Sequence, residues 1–178
     1  VVQAGHKVTL VELDTVEPCY TLRPLKRELT ALGLDVLAWE THETVGLGEA
    51  GSTLKPEMRW VLRREGDIIM DIGYGVQGTR IFNLIEGAAV STELKVLAVV
   101  NTFRPMTMSV PLIVEYVREI GRVDGLVNNT HLGDETTVED VQRGARMGTR
   151  AAEELRLPVV ATSAVAHLAE KIGPVDCM

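Results

Sequence analysis

The chain has 178 residues, 46% hydrophobic and 24% charged, with a formal net charge of −7. Those figures fit one globular domain with a sizeable core, and the negative balance argues against a general affinity for nucleic acid or an anionic membrane. Cys19 and Cys177 lie far apart with no C-x-x-C pair, so nothing suggests a disulfide framework and a reducing cytoplasm fits best; no apolar run reaches the ~18 residues of a membrane span, and no signal-peptide pattern is present.

Residues 1–7 read as the last turn of a helix closed by Gly5, which leads straight into a strand. The expectation is a chain that begins inside an element, with the preceding strand and loop upstream of Val1. Residues 8–13 form an apolar run, and Glu12 and Asp14 stand at its C-terminal end, the end at which open parallel sheets bind ligands. Pro24 suits the first turn of a helix whose face is Leu25, Leu29 and Leu32, with Gly33 at its C-cap, and a short strand over 34–39 follows. Residues 40–54, with Gly46, Gly48 and Gly51, read as a loop, and 56–64 as a helix.

Residues 66–78, bounded by Gly66 and Gly78, are an apolar run read as a buried strand that delivers Asp71 just before a glycine-rich turn. A helix over 79–89 follows, and 95–100 is the most continuous buried-strand signal of the chain. Ser109 can cap a helix with Pro111 in its first turn and Val110, Ile113, Val117 and Ile120 on its apolar face. Residues 124–128 are a strand. Thr136 with Glu139 forms a capping-box pattern for a long helix through Leu155, whose stripe is Val138, Val141, Ala145, Gly148 and Ala152. Residues 158–162 are a final strand and 165–172 a final helix. Strands alternating with helices predict an α/β fold with a mostly parallel sheet.

The turn after Asp71 supports two readings. Gly73, Gly75 and Gly78 spell G-x-G-x-x-G after a strand, with Asn101 and Arg104 after the next strand to read a ribose or 2′-phosphate. Against that stands Asp71 itself. A carboxylate two residues before the first glycine would face the pyrophosphate, a repulsion of about 4 kcal/mol at ~4 Å and an effective dielectric near ~20. With Mg²⁺ the same carboxylate becomes an asset, because a triphosphate brings a metal that takes one or two carboxylates plus phosphates and waters. Asp71 with Asp14 or Glu12 supplies that pattern, and the glycines let backbone pass close to a γ-phosphate. Asp71 as a plain strand cap and Asn128-Asn129 as turn chemistry remain the structural alternatives. His131 with Asp134 and Glu135 reads as a hydrogen-bonded loop rather than a metal site.

The ordered segments Val11-Glu12-Leu13-Asp14, Asp71-Ile72-Gly73-Tyr74-Gly75, Leu126-Val127-Asn128-Asn129 and Leu157-Pro158-Val159-Val160 resemble the motifs of the MinD/ParA/CobQ group of deviant P-loop ATPases. Arg104-Pro105 and residues 126–137 are similar to segments of an uncharacterised branch of that group, and the likeness runs from residue 1 to about 172. The resemblance implies a three-layer α/β/α domain of the P-loop NTPase type over 1–178, lacking its first strand and phosphate-binding loop, since no G-x-x-x-x-G-K-[ST] occurs. It implies Glu12 and Asp14 as the catalytic acids beside the phosphates, with Glu12 one methylene longer than the family's usual Asp. It makes Asp71, with Asp14, the Mg²⁺-facing acid and Gly73 to Gly75 the γ-phosphate sensor. Asn128 or Asn129 would bond the adenine, with backbone around Pro158 to Thr162 lining it. The expected cofactors are ATP and Mg²⁺, and the expected function is a slow ATP-hydrolysing switch in the cytoplasm. A homodimer and a protein client not named by the sequence are implied by the resemblance. A non-hydrolysing nucleotide-binding regulator or scaffold and an NAD(P)-dependent oxidoreductase using Gly73, Gly75 and Gly78 are the alternatives.

Overall fold

Val8–Leu13 forms β1, the middle strand of a three-stranded parallel sheet ordered β2-β1-β3, with β2 at Asp35–Leu37 and β3 at Asp67–Ile72. The computed structural model describes residues 2–14, 22–40 and 54–172. Its contacts divide the chain into two compact units, residues 1–92 and 93–178, and each is described by itself.

In the first unit β1 is buried except at Leu10, as expected for a strand flanked on both sides by parallel neighbours. β3 differs from its predicted burial. Exposure alternates along it, with Ile69 46% exposed. It is the terminal strand of its sheet among the described residues, so one of its edges is unpaired there, and the face that carries Ile69 is exposed. Pro24 sits in a 3₁₀ turn, Arg23–Leu25, that runs into helix α1, Lys26–Ala31. The predicted apolar face of this helix is not buried, since Leu25 and Leu32 are exposed. The helix expected over 56–64 is broken into α2, Pro56–Arg59, and a 3₁₀ turn, Val61–Arg63, which bury Met58 and Val61. The helix expected over 79–89 starts earlier, as α3 at Gly75–Thr79, and tightens to 3₁₀ geometry over Arg80–Leu84, burying Ile81. Most of the glycine-rich loop predicted over 40–54 lies outside the described residues, as do Cys19 and Cys177.

The second unit is a pair of strand-helix-strand crossovers. β4 (Leu97–Val100), β5 (Gly125–Asn128) and β6 (Val159–Thr162) are parallel and ordered β4-β5-β6. They are joined by α4 (Val110–Ile120) and α5 (Val138–Leu155), and α6 (Ala166–Ile172) follows. The core packs one face of the sheet, through Ala98, Val100, Leu126 and Val159, against Ile113, Val114 and Val117 of α4 and Ala151 and Ala152 of α5. β4 is therefore half-buried rather than continuously buried, and Leu97 and Val99 point the other way and are exposed. Ser109 caps α4 as predicted, its side chain accepting from the Leu112 amide. The capping box of α5 falls one residue later than expected: Thr137 is the N-cap and Asp140 its reciprocal partner. Thr136 instead ties the preceding loop, donating to Gly133 O at 2.6 Å and accepting from Leu132 N. Between Leu126 and Val127 the β5/β6 register slips, so Val160 stands out as an extra residue. The protein is thus a mixed α/β protein with two parallel sheets, and no helix among the described residues is long and apolar enough to cross a membrane.

Candidate functional site

The acids sit at the C-terminal ends of neighbouring strands of the first unit. Glu12 on β1 pairs in register with Asp71 on β3, and partners in a parallel ladder project to the same face. Asp14 follows two residues beyond Glu12, close enough that its charge acts on both of the others. Glu12 is only 3% exposed. Burial pushes its carboxyl above the ordinary range; the Asp71 and Asp14 charges push the same way, opposed by two backbone amides. Those amides occupy both of its oxygens: Oε1 accepts from Asp14 N at 3.1 Å and Oε2 from Leu22 N. Glu12 therefore ties the end of β1 to the residue that opens the next described segment. Asp71 is more open to solvent, yet its carboxyl is also raised, by partial desolvation and then by Asp14. Two carboxyls, Glu12 and Asp71, are thus held where burial and neighbouring negative charge make them harder to ionise, a cost that a divalent cation would offset.

Backbone sterics explain the glycines after Asp71. A Cβ on Gly78 would lie 1.6 Å from the Gly73 carbonyl oxygen, so the turn closes only with glycine there, and Gly75 has φ +71°. The helix that follows, α3, has five residues, a short platform for a pyrophosphate. Two of the three glycines of the G-x-G-x-x-G spacing, Gly75 and Gly78, are therefore accounted for by the turn itself. Asn101, the second element of the dinucleotide reading, is committed to the loops after β4 and β5 of the second unit, accepting from Phe103 N and donating to His131 O.

In the second unit the two asparagines part company. Asn128 is 2% exposed and fully engaged: Nδ2 donates to Val141 O at 3.1 Å and to Thr162 Oγ1 at 3.5 Å, and Oδ1 accepts from Thr130 N and Thr130 Oγ1. The Thr130 hydroxyl in turn accepts from Thr102 N, so Asn128 pins the loops after β4 and β5 to α5. Asn129 is half-buried and accepts from Ser163 Oγ at 2.6 Å through Oδ1, while its Nδ2 makes no hydrogen bond among the described residues. Ser163, just past the end of β6, was missed in the sequence; its place after a strand at the ligand-binding end was the available signal. Pro158 is not part of this group. It precedes β6, and its carbonyl accepts from Leu126 N. Four strand residues, about 13 Å, separate it from the Thr162 end beside Asn128.

His131 accepts from the Gly133 amide within its own loop. Among the described residues no group of three or more His, Cys, Asp or Glu is arranged to hold a metal by itself. Any cation at Asp14 and Asp71 would thus complete its shell with water or ligand oxygens, as Mg²⁺ does. In comparisons with family models, curated proteins and solved structures, nothing matches the chain.

Proposed function

We propose that the protein binds ATP with Mg²⁺ as a nucleotide switch of the MinD/ParA type, in a three-layer domain of the P-loop class. The observation that carries this reading is the alignment of Glu12 and Asp71 on adjacent parallel strands with Asp14 beside them, followed by the close-packed turn from Gly73 to Gly78. Asp14 and Asp71 would hold Mg²⁺, and Gly73 and Gly75 would meet the γ-phosphate. Within the second unit by itself, Asn128 is a structural pin, while Asn129 keeps an unspent amide among the described residues. Residues 1–178 contain no G-x-x-x-x-G-K-[ST], so the reading rests on the metal and sensor half of such a site.

Binding without hydrolysis is the second reading, favoured by one observation. Both Glu12 oxygens already accept backbone amides, which leaves this carboxylate poorly disposed to orient a water. The NAD(P) reading is weaker, because two of the three glycines it uses, Gly75 and Gly78, are required by the turn itself.

The test is thermal unfolding with nucleotide. At ligand about 100-fold above Kd, binding adds about 2.7 kcal/mol, a rise of about 5–10 °C for a chain of this size. ATP with Mg²⁺ should give that rise, EDTA should abolish it, and Asp71→Asn should lose it. Stabilisation by NADP without metal, or an unchanged response in Asp71→Asn, would overturn the reading. Phosphate release on the same samples separates the hydrolysing switch from the silent binder.

A further inference from the structure

Away from the acidic strand ends, the first unit carries a surface of the opposite sign. Between Leu54 and Arg64 there are four cations, Lys55, Arg59, Arg63 and Arg64, against one carboxylate, Glu57, in a chain whose net charge is −7. Arg64 is committed to Asp35. The guanidinium groups of Arg59 and Arg63 both converge on the Trp60 indole, 5.4 and 3.9 Å from its centroid, and the Lys55 ammonium lies 5.1 Å from the Trp39 ring. Stacking fixes a guanidinium plane without consuming its N–H donors. Arg59 has one carboxylate, Glu86, at 3.4 Å, whereas Arg63 has none among the described residues. Two like charges are therefore gathered on one ring with a single counter-ion between them.

Beside them lies a groove of about 500 Å³ lined by Leu54, Pro56, Arg59, Trp60, Leu84 and Glu86. Its floor is held together by Glu86 N donating to Arg59 O at 2.9 Å. Trp60 is 38% and Leu84 42% exposed, so the groove offers an indole and a leucine to whatever enters it. Trp and Arg around a fixed apolar pocket are the residue types that dominate binding energy at protein interfaces.

We propose that this groove docks an acidic peptide segment of a partner protein, with one aromatic side chain seated between Trp60 and Leu84 and carboxylates on Arg63 and Arg59. The charge of the patch selects the acidic segment, and the apolar lining selects the aromatic anchor. Single-stranded nucleic acid also combines negative charge with rings, but here the cations are gathered on one indole instead of spaced along a track of repeated phosphates. This inference is independent of nucleotide binding.

The experiment titrates the full chain with a fluorescein-labelled peptide of Asp and Glu carrying one central Phe, followed by polarisation. Trp60 emission in a Trp39→Phe background provides a second readout. The Phe peptide should bind and shift Trp60 emission, and its affinity should fall with salt. Arg63→Glu, an exposed position that leaves the fold intact, should weaken binding about tenfold or more, as should replacing the peptide's Phe by Ala. Thermal midpoints equal to wild type confirm that the variant is folded. No binding, equal binding by Arg63→Glu, equal binding of the Phe-less peptide, or tighter binding of oligothymidylate than of the peptide would each overturn the proposal.

Discussion

Glu12 and Asp71 bind protons more tightly in the folded chain than in the unfolded one, because burial and neighbouring carboxylates disfavour their charged forms. In the window between the unfolded value, 4.5 for Glu12 and 3.8 for Asp71, and the raised folded value, the native state holds the extra proton. Stability therefore falls as pH rises through that window. Asp124 and Asp140 act in the opposite sense. The Val96 amide lowers Asp124 and the Thr137 hydroxyl lowers Asp140, so they contribute stability that is lost only as pH falls below the ordinary range near 3.8. The two windows do not overlap. Without metal, the unfolding midpoint should drop as pH is raised above the ordinary carboxylate values, and Asp71→Asn should flatten that slope by removing one raised acid and relieving the other. An unchanged slope in the variant would show that the carboxylates do not couple. That these acids meet was readable from the sequence, since C-terminal ends of adjacent parallel strands align. That Glu12 is tied to the Leu22 amide was not, because it depends on the path of a loop with no periodicity. The division of labour between Asn128 and Asn129 was hidden although β5 ends at Asn128 as read: neighbouring strand residues present opposite faces, and the sequence does not say which face the Val141 carbonyl and Thr130 close over.

Elements with a strong period were legible, and those shaped by glycine or by close packing were not. β1 begins and ends at Val8 and Leu13 as read, and α4 carries its cap at Ser109. The segment 75–84 departs because the close-packed glycine turn starts a short helix at Gly75, before the expected start, and the chain then tightens to 3₁₀ geometry over Arg80–Leu84. In α5 the small-residue stripe was recognised, but its most constrained member was not. Gly144 is the one pressed against the sheet: an added Cβ would lie 2.1 Å from Thr130 Oγ1 and 2.6 Å from Asn128 Oδ1, both fixed in hydrogen bonds. Gly148, also buried, has nothing within 4 Å of that position. Alanine gains about 1 kcal/mol of helix propensity over glycine at either site. At Gly148 that gain should appear, about 0.5–1 kcal/mol of added stability. At Gly144 steric displacement of the Asn128–Thr130 pair should reverse it, a net loss of about 1–3 kcal/mol. Denaturant midpoints of the two alanine variants decide the matter, and effects of the same sign would contradict the packing described for α5.

Across the whole chain the unusual property is how much apolar surface its parallel sheets leave in solvent. Strands of a parallel sheet ordinarily lie between two helical layers. In the second unit α4 and α5 cover the face that carries Ala98, Val100 and Leu126. On the other face Leu97 is 43%, Val99 56% and the bulged Val160 50% exposed. These side chains form one patch: a Cβ on Gly125 would meet Val160 Cγ2 at 2.6 Å and Leu97 Cδ2 at 3.4 Å, so glycine at 125 is what lets Val160 lean over the strand toward Leu97. In the first unit Ile69 is likewise open on β3. A contiguous apolar face should bind a hydrophobic dye such as anilinonaphthalene sulfonate in the native state, before any unfolding. Val99→Lys should remove much of that fluorescence while shifting stability by only about 0.5 kcal/mol, because the side chain is more than half exposed and packs against little. Met58→Lys, at a fully buried position of the other unit, provides the contrast: it should raise dye binding by loosening the core. Native fluorescence that Val99→Lys leaves unchanged would mean that the dye-accessible surface lies elsewhere, and the face of β4 would then have to be covered in solution.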